Sequence, residues 1–172
     1  LTGLRFGELS ALETTDIDTN SLTIRISKTY DSINDIVTTP KTDNSKRTIH
    51  IQPDLLLELK KCLLWRNEMM LANNIRSGLL IPNIKTGEHM QIAGYEKYLR
   101  VTSEKLLGRH VTPHMLRHTH ASLLAANGMT PDEIARRLGH SKSTITSKIY
   151  IHVTQKVIEN DNRKIDQIKL FS

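Results

Sequence analysis

The chain has 172 residues, 38% apolar and 24% charged, a balance that suits one folded domain with a sizeable core and excludes a disordered polymer. No apolar run approaches the roughly 20 residues of a membrane-crossing helix; the polar Leu1-Thr2-Gly3 start suggests no signal peptide, and the single Cys62 has no internal disulfide partner, so a reducing, cytoplasmic setting is expected. The formal charge is +6, and residues 97 to 148 carry nine Lys/Arg against three acids while the remainder is balanced at fifteen of each, a local field that concentrates a polyanion.

In chain order, Leu4 to Leu12 is predicted as a short helix with Leu4, Leu9 and Leu12 on one side. Asp16 to Asn20 is turn-like. Ser21 to Ser27 alternates Leu22, Ile24 and Ile26 with polar residues, as a half-buried strand does. Two further short runs, Ile36 to Thr39 and Arg47 to Ile51, complete an expected three-stranded antiparallel sheet, with Pro40 to Ser45 as its second turn. From Pro53 the period becomes helical, and Leu56, Leu59, Leu63 and Leu64 begin a stripe toward Leu71, with Cys62 expected as a buried small hydrophobe within it. Helices are predicted at Ile92 to Leu107, from Thr112-Pro113 to Ala126, from Thr130-Pro131 to Gly139 with Glu133 completing a capping box, and at Ser143 to Ile151. The fold class is mainly α with one small sheet.

Chemistry concentrates in the basic segment. His114 and Arg117 lie three apart at a helix start, on one face and beside free backbone N–H groups, a favourable place for a phosphate. Leu138-Gly139-His140 is followed ten residues later by Tyr150, and Arg5-Phe6-Gly7-Glu8 lies near the beginning. Taken singly, Arg5 and Glu8 would be a surface ion pair of little energetic worth, and Tyr30, Tyr95 and Tyr98 read as packing residues. His114 and His118 are four apart, as paired zinc ligands are, but Met115 stands where a zinc protease carries Glu and no third ligand is evident, so His118 is expected as a buried, hydrogen-bonded helix residue.

Together these pieces resemble the tyrosine recombinase, or phage integrase, family, whose signature runs from an Arg box through a β-turn Lys, His-x-x-Arg and Leu-Gly-His to Tyr. The likeness spans nearly the whole chain and implies the DNA breaking-rejoining catalytic fold. It implies Tyr150 as the nucleophile, Arg5 and Arg117 as the two phosphate-binding guanidiniums, His114 as general base, and His140 as a phosphate hydrogen-bond donor. Lys41 would protonate the leaving 5′-oxygen; it is preferred over Lys46 and Arg47 because it follows Pro40 directly. Two guanidiniums and an ammonium balance the phosphate charge, so no metal or other cofactor is expected. Lys46, Arg47, Arg136, Arg137 and Lys142 are candidate contacts to the DNA backbone.

The resemblance further implies a site-specific recombinase of a mobile element, acting in integration or transposition on double-stranded DNA, as a homo-oligomer (a tetramer) and with an accessory directionality protein. The chain is then a catalytic-domain fragment, 1–172, without the core-binding domain and first catalytic helices that precede it in the family. The tail 154–172 packs on its own domain or on a neighbouring protomer. The rival readings are a type IB topoisomerase-like nicking-closing enzyme and a DNA-binding module without catalysis.

Overall fold

The computed structural model describes residues 2–39, 45–140, 146–147, 150–151, 153–155 and 163; Lys41, Lys142 and most of the tail lie outside them. Helix α1 (Phe6–Ser10) starts where the Glu8 carboxylate reaches back to accept the Arg5 backbone N–H at 2.9 Å. It is shorter than the Leu4 to Leu12 expectation, although Leu12 is buried and Leu4 and Leu9 pack beside it. A 3-10 turn (Thr14–Asp16) leads into β1 (Ile17–Asp18). The Asp18 carboxylate then accepts the N–H groups of Asn20 and Ser21, which reverses the chain into β2 (Thr23–Ile26).

The alternation in β2 is realised: Ile24 and Ile26 are buried and Arg25 is exposed. Strand membership differs from expectation. The three-stranded antiparallel sheet consists of β1, β2 and β5 (Arg47–His50), with Ile24 opposite Ile17 on one side and Ile49 on the other. The run at Ile36 forms instead β4 (Ile36–Thr38), paired with β3 (Thr29–Asp31) in a separate two-stranded ribbon. A two-residue strand such as β1 has no periodicity to read, and the Asp18 turn that creates it looks in sequence like an ordinary loop.

Helix α2 (Pro53–Ala72) covers the sheet with Leu55, Leu56, Leu59 and Leu63, which pack onto a core of Leu12, Ile24, Ile26, Ile49, Ile51 and Leu80. Burying each such side chain contributes about 1.5–3 kcal/mol. The apolar stripe does not extend as predicted, because Leu64 and Leu71 are exposed; Cys62 is half-buried rather than buried. Arg66 on the same helix is buried and ties down the following loop through the carbonyls of Ser77 and Leu79.

Helix α3 (Ile92–Leu107) has the expected bounds, and α4 (Pro113–Ala126) and α5 (Pro131–Leu138) begin and end where their caps predict. The Thr112 hydroxyl accepts the Met115 N–H at 3.2 Å, and Thr130 and Glu133 form a reciprocal capping box. A second core of Ala121, Ala125, Ile134 and Leu138 joins α4 to α5. Of the expected helix at Ser143 to Ile151, the described residues Thr146, Ser147, Tyr150 and Ile151 are helical. Among the described residues no helix is long and apolar enough to cross a membrane.

Candidate active site

Three elements converge at the junction of the two cores. α1 supplies Arg5 at its start and Glu8 in its first turn. The first two turns of α4 supply His114, Arg117 and His118, and the end of α5 supplies Gly139 and His140. Gly139 has φ +69°, a left-handed conformation that stops α5 at low cost only for glycine. The two carbonyls at that end become acceptors: Arg117 Nη2 donates to Leu138 O at 2.6 Å and Arg5 Nη2 to Gly139 O at 3.1 Å. Arg117 Nη1 donates to Gly3 O at 2.5 Å. Gly3 is also left-handed, and a Cβ there would lie 2.5 Å from both His120 and Leu138, so only glycine brings that carbonyl to the guanidinium.

The hub beneath these groups is Glu8, 3% exposed at its side chain. Its Oε1 accepts from Arg5 Nη1 at 2.8 Å and Arg47 Nη1 at 3.0 Å, its Oε2 accepts from Arg47 Nη2 at 3.0 Å, and Arg117 Nη1 stands 3.9 Å away. Burial alone would raise the Glu8 carboxyl. The hydrogen bonds and charge of Arg47, then those of Arg5, outweigh it and hold the group below its ordinary value. One carboxylate therefore faces three guanidiniums, and the cluster keeps a surplus of positive charge. The same surplus shows in Arg117, whose pKa falls to about 10, first through burial and then through Arg5, with Glu8 opposing.

Arg5, His114, Arg117, His118, Ala121, Leu138 and His140 line a cavity of about 150 Å³. Its size, its two arginines and the N-terminal turn of α4 suit a single tetrahedral anion. His140 is held neutral, its pKa lowered to about 4 by burial first and then by Arg117 and Arg5, so it can enter hydrogen bonds without adding charge. Its Nδ1 lies 2.9 Å from Thr146 Oγ1. Tyr150, four residues beyond Thr146, is half-buried and packs against the core to which the cavity-wall residues Ala121 and Leu138 belong.

Of the residues singled out in the sequence, Arg5, His114, Arg117 and His140 thus share one cavity, and Tyr150 packs against the core that includes Ala121 and Leu138. Lys46 and Arg136 are exposed. Arg47, expected to face DNA phosphates, is turned inward instead. Its side chain is 7% exposed, grips Glu8, and donates through Nε to Arg137 O at 2.7 Å. Arg137 is half-buried and also engaged within the protein, donating to His50 O at 2.9 Å and reaching His120 Nε2 at 3.3 Å. His118 is exposed, edge-on to His114 with ring centroids 4.8 Å apart; the buried histidine is His120. Among the described residues no third His, Cys, Asp or Glu joins the His114 and His118 pair in a metal-binding group.

The competing tyrosines are occupied otherwise. Tyr30 is buried and stacked on His89, Tyr95 is stacked on Phe6, and Tyr98 is exposed on α3. Sequence reasoning missed Glu8 as an organising group and missed Thr146. The first had a signal in the Arg5-x-x-Glu8 spacing; the second had none.

A fold of this kind, with guanidiniums gathered at a helix start, is of the integrase type. The phage integrase family model matches residues 1–156, and the chain belongs to that family. The integrase of Staphylococcus phage L54a is 35% identical over 98% of this chain and 49% of its own length. A XerC-like tyrosine recombinase of Caldanaerobacter subterraneus is 31% identical over 90% of this chain and 44% of its own. The chain therefore spans about half the length of these relatives. In fold it is similar to the Tn1549 transposon integrase, solved with transposon right-end DNA, at a TM-score of 0.72 and 23% identity, covering 92% of this chain and 55% of that one.

Proposed function

We propose that this chain is the catalytic domain of a site-specific DNA recombinase of a mobile element, cutting and rejoining strands through a 3′-phosphotyrosyl intermediate. The carrying observation is the cavity in which Arg5, His114, Arg117 and His140 meet over a buried Glu8. Relatives that are themselves an integrase and a recombinase support the same reading.

In this mechanism the scissile phosphate enters the cavity and its non-bridging oxygens take hydrogen bonds from Arg5 and Arg117, with His140 donating a third. Each charge-assisted bond contributes on the order of 1.5–3 kcal/mol, more as water is excluded. The Tyr150 oxygen attacks phosphorus while His114 takes the phenolic proton. A phenol of ordinary pKa, about 10, needs that help near neutral pH. The bond to the 5′-oxygen breaks, Lys41 protonates it, and the strand is held as a phosphotyrosyl ester. Attack by another strand's 5′-hydroxyl reverses the step, returning the proton to the tyrosine and sealing the backbone with no external energy source.

Exposed Lys46 and Arg136, together with Lys142, contact backbone phosphates beside the site. Exchange between two duplexes calls for several active sites, so the functional unit is a homo-oligomer, a tetramer on DNA, with an accessory protein setting direction, in the bacterial cytoplasm. The DNA-bound Tn1549 integrase supports a double-stranded DNA partner.

The test is a nicked duplex that traps the covalent product, incubated with the full-length protein. Wild type forms an adduct and Tyr150→Phe forms none; an adduct that persists in Tyr150→Phe overturns the nucleophile. Strand exchange between two duplexes is expected; loss of supercoils alone would instead indicate a topoisomerase-like enzyme.

A further inference from the structure

His140 lines the cavity, yet one of its ring nitrogens is already engaged: Nδ1 lies 2.9 Å from the hydroxyl of Thr146. Thr146 is wholly buried, at 0% exposure, and stands four residues before Tyr150, both residues being helical. This contact links the end of α5, where the arginines find their carbonyl partners, to the turn that bears the tyrosine.

We infer that Thr146 is a positioning residue: its hydroxyl donates to Nδ1 of His140, so the ring proton sits on Nε2 and faces the cavity, and the same bond holds the Tyr150 turn against the site. The inference rests on reading the cavity as a phosphate site. A neutral imidazole carries one N–H, and the partner of one nitrogen decides which nitrogen bears it. A phosphate oxygen offers lone pairs and accepts only from a protonated nitrogen. With the proton on Nδ1, the Nε2 lone pair would meet that oxygen lone pair to lone pair. Protonating both nitrogens is opposed by burial and by Arg117 and Arg5 nearby, so the tautomer has to be chosen by a hydrogen bond. A hydroxyl can donate or accept; by donating to Nδ1 while a phosphate oxygen accepts at Nε2, it fixes that choice without adding charge to a site already rich in guanidiniums.

The test has two readouts on the full-length protein. Selective ¹⁵N labelling of histidine reports the tautomer of His140 directly, assigned with a His140→Asn control. Wild type and Thr146→Ser are expected to show a protonated Nε2 and a bare Nδ1, and Thr146→Val a mixture of both tautomers. Single-turnover cleavage of the nicked duplex should fall about tenfold or more in Thr146→Val, by analogy with losing the hydrogen bond that orients a metal-bound histidine, with DNA affinity unchanged, and Thr146→Ser should restore most of it. Serine lacks the methyl group that valine keeps, so a purely packing role predicts the opposite order and refutes the inference. A wild-type Nδ1–H tautomer also overturns it, whatever the activity. If the tautomers are as expected but wild type forms no adduct, the phosphate reading fails and takes the role of Nε2 with it, while the hydrogen bond itself stands.

Discussion

Glu8→Gln removes one negative charge and almost no volume from the centre of the site. The side chains around it are nearly dry: Glu8 is 3% exposed, Arg47 7% and Arg117 5%. Arg47 holds both carboxylate oxygens at 3.0 Å, so its charge has no nearer balance. Removing one member of a buried pair costs about 3–5 kcal/mol, because the remaining charge stays desolvated. The Arg5 contact adds little, since that side chain is 43% exposed and screened by water. For a domain of this size each kcal/mol moves Tm by about 2–4 °C, so a drop of roughly 6–20 °C is expected. Thermal unfolding of the 172-residue chain, followed by far-ultraviolet circular dichroism, measures the shift in Tm, and urea unfolding measures the free energy. The Glu8 carboxyl is held below its ordinary value of 4.5. Its contribution is therefore present above that pH and lost as pH falls through the lower folded value, so wild type and variant should converge in acid. Arg47→Met in the Glu8→Gln background should recover much of the loss, because the uncompensated charge is then gone. A Glu8→Gln cost below about 1 kcal/mol, or simple additivity of the two substitutions, would refute the argument.

Two further outcomes are expected from the electrostatics. Buried His120 has its pKa lowered from 6.5 to about 4, by burial first and then by Arg137. The folded protein therefore resists protonation there, and stability should fall as pH drops from 6.5 toward 4, by at most about 3 kcal/mol from this group. In His120→Gln that part of the slope should vanish in unfolding curves taken across the range. For the exposed cations, Lys46→Ala and Arg136→Ala should each weaken DNA binding at low salt and reduce the slope of log affinity against log salt by about 1. Unchanged slopes would place both residues away from the DNA.

In the proposed reaction the contribution of this site would come mainly from arrangement. Arg5 and Arg117 are already aimed by Glu8 and by the carbonyls of Gly3, Leu138 and Gly139. Little reorganisation then remains when an anion enters, the condition under which fixed donors stabilise developing charge best. Arg47, the first residue of β5, extends the same framework by joining Glu8 to the Arg137 carbonyl.

Local chemistry made much of this legible in the sequence. Thr112-Pro113 and Thr130-Pro131 start helices because their hydroxyls satisfy open backbone N–H groups, and Gly139 ends one because it alone adopts a positive φ cheaply. Each of those signals acts within a few residues, as does the His114-x-x-Arg117 spacing that sets two cavity residues on one helix face. The order of the motifs along the chain singled out Arg5, His114, Arg117 and His140, which the fold brings to one cavity. Tertiary structure alone decided which charges face inward. Arg47 meets a carboxylate 39 residues away and a carbonyl 90 away, and Arg5 meets a carbonyl 134 away. Whether such an arginine is a surface contact or a buried strut depends on what the fold brings to it. The same holds for exposed His118 against buried His120, and for the partner of β2 being the two residues Ile17 and Asp18. Burial and long-range pairing are properties of surfaces that meet only once the chain has folded, and no short window of residues contains both sides.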